Sequence, residues 1–166
     1  MLHQENAAID LLPQSLADPS RIKLVCLTSS FALADAPQEL RWLDRCGKLG
    51  SNHTDKFKMV EWLERRRRSL GLDHLCFLID IEVLGGISRG FEFLRDLRLS
   101  FPSIPLIIFS NRAKSHDFST ERAGICDATL RYPFKKGDLD CAIDAALANN
   151  ALFQARIEIN ADASIG

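Results

Sequence analysis

Two uninterrupted apolar runs constrain this chain more than any other feature: LCFLID over Leu75–Asp80, and PLIIFS ending at Ser110. A strand with one solvated face alternates apolar and polar residues. A strand apolar at every position is buried on both faces, which happens in parallel sheets covered by helices. Each run closes on a polar residue, Asp80 and Ser110. In doubly wound sheets the chemistry lies outside the carboxyl ends of the strands, so these residues mark one edge of one sheet as the candidate site.

The segments around the runs alternate in the same sense. Ile22 to Leu27 (IKLVCL) reads as a first strand ending in Thr28, Ser29 and Ser30. After a loop around Ala34 to Ala36, Pro37 opens a helix carrying Leu40, Trp42 and Leu43, which ends near Cys46 and Gly47. A second strand falls within Lys48 to Ser51. Asp55 to Leu70 reads as a helix with Phe57, Val60 and Leu63 on its apolar side. Gly90 to Leu99 reads as another, with Phe91, Leu94 and Leu97 plus Phe93, and Pro102 and Pro105 bound the turn into the fourth strand, Leu106 to Ser110. A short helix is expected near Phe118 to Ala123, then a fifth strand over Ala128 to Arg131. Gly137 and Asp138 are placed to cap a last helix in which Leu139, Ala142, Ile143, Ala146 and Leu147 fall at i, i+3, i+4, i+7 and i+8. The expected fold is therefore α/β, with a five-stranded parallel sheet in the order 2-1-3-4-5 and helices on both faces. Residues 1–20, interrupted by Pro13 and Pro19, read as a poorly ordered lead, 21–150 as the domain, and 151–166 as a C-terminal tail or linker.

Composition removes several function classes. With 166 residues, 18.6 kDa and 46% hydrophobic content the chain can bury a full core as one domain. Its formal charge of -1 gives no overall pull toward nucleic acid or an anionic membrane. No apolar stretch approaches the roughly 20 residues that span a bilayer, and MLHQENAAID lacks a signal peptide's basic-then-apolar order, so a cytoplasmic location is expected. Arg65 to Arg68 could form a nucleic-acid patch, but on a helix the four side chains point in about four directions, and a solvated face is the favoured reading. Cys26, Cys46, Cys76, Cys126 and Cys141 are odd in number and without CxxC spacing, which favours reduced thiols. The scattered histidines give no metal set, and no metal or cofactor is expected. Ser115, His116 and Asp117 have the residue types of a catalytic triad, but adjacency is not triad geometry, and an enzyme is not expected.

The stretch from Leu75 to Ala148 resembles the receiver domain of two-component response regulators. GFEFLRDLRLSFPSIPLIIFS is similar to a receiver's third helix and fourth strand, and DATLRYPF to its fifth strand and following loop. The resemblance implies Asp80 as phospho-acceptor candidate, Ser110 as the switch hydroxyl, and a cis Tyr132–Pro133 bond. It also exposes departures. Thr28 and Ser29 stand where a receiver carries the acid pair that holds Mg²⁺ beside the acceptor, and Tyr132 stands where it carries a Lys. The loop from Ile81 to Gly90 is about two residues longer than usual, Leu84 replaces a Pro, and the switch aromatic falls on Thr129. Arg131 is a substitute cation only if it faces the site, and as a neighbour of Tyr132 it is expected to face away.

These departures imply a degenerate, pseudo-receiver domain of a bacterial regulator. It would act by protein–protein interaction, with a kinase, regulator or output domain as partner, a homodimer as favoured state, and no nucleic-acid or membrane contact. The alternative is a phosphorylation-gated receiver that takes phosphate on Asp80 from a histidine kinase. Asp80 has its own plain alternative, a leftover strand-end carboxylate hydrogen-bonded by neighbouring hydroxyls. The expected interface lies on the fourth helix, fifth strand and last helix, with Phe118, Glu121, Leu130 and Tyr132 as candidates, although Tyr132 and Phe134 could equally be core.

Overall fold

In a computed structural model of the chain, residues 18–29, 38–45 and 47–165 are described. The expectations placed on 1–17, on the loop around Ala34 to Ala36 with Pro37, and on Cys46 lie outside the described residues. Strand β1 (Lys23–Leu27) is followed by α1 (Gln38–Arg45), β2 (Leu49–His53), α2 (Lys56–Ser69), β3 (Leu75–Asp80), a 3-10 turn over Ile81–Leu84, α3 (Ile87–Ser100), β4 (Leu106–Ser110), β5 (Ala128–Arg131) and α4 (Lys136–Ala163). All five strands are parallel, in the order β2-β1-β3-β4-β5.

The apolar runs are buried on both faces because each face has its own core. Leu24, Cys26, Leu78, Ile107, Phe109 and Leu130 pack with Leu43 of α1 and with Leu139, Ala142, Ile143, Ala146 and Leu147 of α4. Their neighbours in the strands, Val25, Leu27, Phe77, Ile79 and Ile108, pack on the other side with Met59 and Leu63 of α2 and Leu94 and Leu97 of α3. Burying a Leu, Ile or Phe stabilises by about 1.5–3 kcal/mol, so the two layers hold the strand ends in fixed register. Only β2, at the edge, shows the half-buried alternation of a one-sided strand.

Several expectations need correction. Phe57 is 72% exposed, and Met59 takes its place in the core. Leu63 and Val60 of the expected pattern do pack in that layer, and Asp55 caps α2 by accepting from the Phe57 and Lys58 N–H groups, which leaves Phe57 in the exposed first turn. Phe91 is likewise exposed. The expected helix at Phe118 to Ala123 does not form: the chain runs through bends and turns from Asn111 to Asp127. On the way Asp117 makes a two-way antiparallel bridge with Thr129, closing the outer edge of β5. Lys135, not Gly137 or Asp138, is the N-cap of α4, although the Asp138 carboxylate does reach back to the Lys135 N–H at 2.9 Å. The helix continues through the residues read as tail as far as Ala163. The Tyr132–Pro133 bond is cis. The described cysteines, Cys26, Cys76, Cys126 and Cys141, are free thiols, and burial pushes Cys26 up to about 12 and Cys126 to about 11.

Candidate functional site at the carboxyl end of the sheet

β3 and β4 run side by side with Asp80 level with Phe109, so Asp80 and Ser110 end on the same edge. Asp80 is 9% exposed. It caps the turn that follows it, its Oδ1 accepting from the Glu82 N–H at 3.0 Å. That turn swings the Glu82 side chain across the strand ends, where Glu82 Oε1 accepts a 2.9 Å bond from the Ser110 hydroxyl. Ser110 Oγ in turn accepts from the Arg112 N–H at 3.0 Å, and its carbonyl accepts from the Tyr132 N–H at 2.9 Å. Ser110 thus bonds to Glu82, so the neighbour that the sequence does not flag is the centre of the cluster. The signal for it was the spacing: a residue two positions after a strand-end Asp is brought back by the Asx turn that Asp favours.

The electrostatics are one-sided. Burial pushes the Asp80 carboxyl above the ordinary carboxylate range, the Glu82 N–H bond opposes that rise, and the Glu82 charge adds to it. The cation beside Glu82 is Arg112, whose Nε lies 3.8 Å from Oε2 on a side chain that is 84% exposed. Arg131 is exposed and donates from Nη1 to the Lys114 carbonyl. On the β1 side Thr28 is buried and its hydroxyl donates to Asn52 Oδ1 at 2.9 Å. Thr28 therefore brings no carboxylate and has its own partner. Among the described residues no group of three or more His, Cys, Asp or Glu gathers where a metal ion could sit. The turn is held from behind by Gly90, where an added Cβ would lie 2.9 Å from the Leu84 Cβ.

The other sequence candidates divide. Leu130 is fully buried and is not available to a partner, because it points into the layer under α4. Phe134 is core too, edge-on to Phe109. Tyr132 is half-buried on the same layer, 5.8 Å from the Phe109 ring. Phe118 is half-buried and stacked on His116, while Glu121 is exposed. His116 accepts the Arg131 N–H at Nδ1 and approaches Asp138 through Nε2 at 3.5 Å, so Ser115, His116 and Asp117 form no triad. The four arginines diverge, as expected of a helix: Arg66 lies over Trp62, Arg67 over Phe101, and Arg65 and Arg68 are exposed.

The amino-terminal edge of the sheet holds what the sequence reading missed altogether. Arg98 and Asp127 form a fully buried bidentate ion pair, and Arg98 Nε also donates to the Ala123 carbonyl. Asp127 accepts from the Leu106 N–H as well, and the guanidinium lies 3.8 Å from the Phe153 ring centre. Near it a cleft of ≈ 400 Å³ is lined by Ile22, His74, Pro105 and Asn150 among others, at the opposite end of the strands from Asp80. Comparison of the chain with family models, with curated proteins and with solved structures finds no match.

Proposed function

We propose that the chain is a receiver-like signalling domain of the two-component type that has given up Mg²⁺-dependent phosphorylation and works through protein–protein interaction. One observation carries the reading. The carboxylate at the acceptor position is buried beside a second carboxylate, with a hydroxyl committed to Glu82, and the described residues that follow β1, Thr28 and Ser29, are hydroxyls and not acids. Among the described residues, an incoming phosphoryl group would meet two negative groups and one solvent-exposed arginine. Phosphoryl transfer needs the opposite arrangement, since metal and fixed cations supply most of its charge stabilisation. On this reading the protein is cytoplasmic, is not an enzyme, and takes a kinase, regulator or output domain as partner. No described helix is long and apolar enough to cross a membrane.

The alternative, a receiver gated by phosphate on Asp80, draws support from the shared edge of Asp80 and Ser110. Titration of the protein with Mg²⁺ and beryllofluoride, followed by NMR at Asp80 and Ser110, separates the two. The expected result is no change up to millimolar Mg²⁺; saturable shifts at both residues would establish the alternative. Asp80→Asn should leave partner capture and regulation intact in cells.

A further inference from the structure

Helix α4 is apolar on two opposite sides. One side, through Leu139, Ala142, Ile143, Ala146 and Leu147, covers the sheet, and Phe153 continues it onto Arg98. The helix is about 42 Å long at 1.5 Å per residue, so its last turns pass beyond the strands it covers. The other side carries Cys141, Ala145, Ala148, Leu152, Ala155 and Ile159, spaced alternately four and three apart; Ala145 is half-buried and the other five are exposed, Leu152 at 53% and Ile159 at 67%. Alternating spacing of three and four is the seam of a two-helix coiled coil, the pattern another helix of the same repeat fits. We infer that this seam pairs with the same seam of a second copy, the two α4 helices lying antiparallel with Leu152 of each opposite Ala155 of the other.

Size and charge choose this arrangement over its competitors. Antiparallel pairing at that register also sets Ala148 against Ile159, so every large residue meets an alanine and the helices keep an even spacing. At the seam's margins Arg156 then faces Asn149 and Glu158 faces Ala151, with no like charges in contact. A slip of one repeat in one direction brings Arg156 against Arg156 and Glu158 against Glu158. A slip in the other brings Asp144 against Glu158. A parallel pair would stack large residue on large residue and alanine on alanine, and would place Asp162 against Asp162 within the seam. Each rejected arrangement carries a like-charge contact that the chosen one avoids. The dimer gives the proposed interaction module its self-association surface and so rests on that reading for its meaning, while its content comes from the helix alone; a monomeric protein would remove the dimer and leave partner capture to its own test.

Analytical ultracentrifugation of the 166-residue protein from micromolar to hundreds of micromolar should show reversible doubling of the 18.6 kDa mass. Leu152→Glu and Ile159→Glu should each weaken association about tenfold or more. Both positions are exposed, so the far-UV circular dichroism of the domain is expected to persist, and as a second measurement the wild-type urea midpoint should rise with protein concentration. Direction is read by disulfide trapping on a Cys141→Ser background: a mixture of Ala148→Cys and Ile159→Cys chains should cross-link, and Ile159→Cys alone should not. A monomer at all concentrations, a dimer indifferent to both glutamates, or efficient cross-linking of Ile159→Cys alone would each overturn the proposed pairing.

Discussion

The two ends of the sheet treat buried charge in opposite ways. At the amino end Arg98 and Asp127 are 1% and 0% exposed, and their donors and acceptors are taken up by each other, by Ala123 O and by Leu106 N. At the carboxyl end Asp80 is nearly as buried, but its neighbour in charge is another carboxylate. The first arrangement holds a fold; the second sets one buried carboxylate beside another, and the exposed Arg112 pairs with Glu82 and not with Asp80. A strong buried ion pair is thus no guide to where a chain works. The unrelieved carboxylate is the more informative signal.

The largest effect should come from breaking the amino-terminal pair. Asp127→Ala leaves the Arg98 guanidinium buried without its partner and should destabilise the fold by about 3–5 kcal/mol in urea unfolding followed by circular dichroism. Arg98→Met together with Asp127→Leu should recover part of that loss, though not all, because the Leu106 N–H and the Ala123 carbonyl then lack partners. A loss below about 1 kcal/mol for Asp127→Ala would mean that water reaches the pair, and the contrast between the two ends would collapse. Gly90→Ala comes next: its Cβ would press on Leu84, and crowding of this kind costs about 1–3 kcal/mol. A neutral result there would show that the turn carrying Glu82 can shift.

Sequence patterns made the sheet legible and the polar contacts much less so. Leu75–Asp80 and Leu106–Ser110 could be bounded because fully apolar runs end abruptly at polar residues, and Ala128–Arg131, although it contains Thr129, was placed by the alternation of strands and helices. The inner face of α4 was legible for the same reason, period 3.6 over five residues. Phe57 and Phe91 misled because apolar periodicity does not say how far along the helix the buried stripe extends, and both lie in the first turn or two of their helices. The helix expected at Phe118 to Ala123 fails on tertiary grounds: Asp117 is held by Thr129 across the edge of β5, a pairing invisible in local sequence. Arg98 was unreadable because a lone arginine in an amphipathic helix reads as solvated, and its partner lies 29 residues away. Asp80 and Ser110 were found as candidates, and Glu82 was not: the Asx turn after Asp80 is a local signal, but the bond Glu82 accepts from Ser110 spans 28 residues.

A smaller effect of opposite sign is expected at the carboxyl end. The folded-state pKa of Asp80 is raised, so between the ordinary carboxylate range and that raised value the folded protein binds the proton that the unfolded chain has released. Stability should then increase as pH falls through the raised pKa toward the ordinary value, and this contribution should be absent at neutral pH. Asp80→Asn keeps an acceptor for the Glu82 N–H and removes the buried charge. It should raise the urea midpoint at pH 7 and flatten that part of the pH profile. A lower midpoint for Asp80→Asn would mean that an unseen cation satisfies the carboxylate, and the two ends would then be alike.

The finest test asks which neighbour sets Asp80. Burial acts first and cannot be removed by one substitution, but the Glu82 charge can. Glu82→Gln should bring the Asp80 carboxyl down toward its ordinary range, read from the side-chain carboxyl carbon in an NMR pH titration, while the backbone bond from residue 82 persists. Arg112→Ala should move neither that titration nor the fold by much. Its pair with Glu82 is 3.8 Å long and solvent-screened, worth about 0.2–1 kcal/mol at most, and the bond it gives Ser110 comes from its backbone. If instead Arg112→Ala shifted Asp80 upward as far as Glu82→Gln shifts it downward, the arginine would be acting as the fixed cation that a phosphoryl acceptor requires. The carboxyl end of the sheet would then have the charge balance for phosphorylation after all.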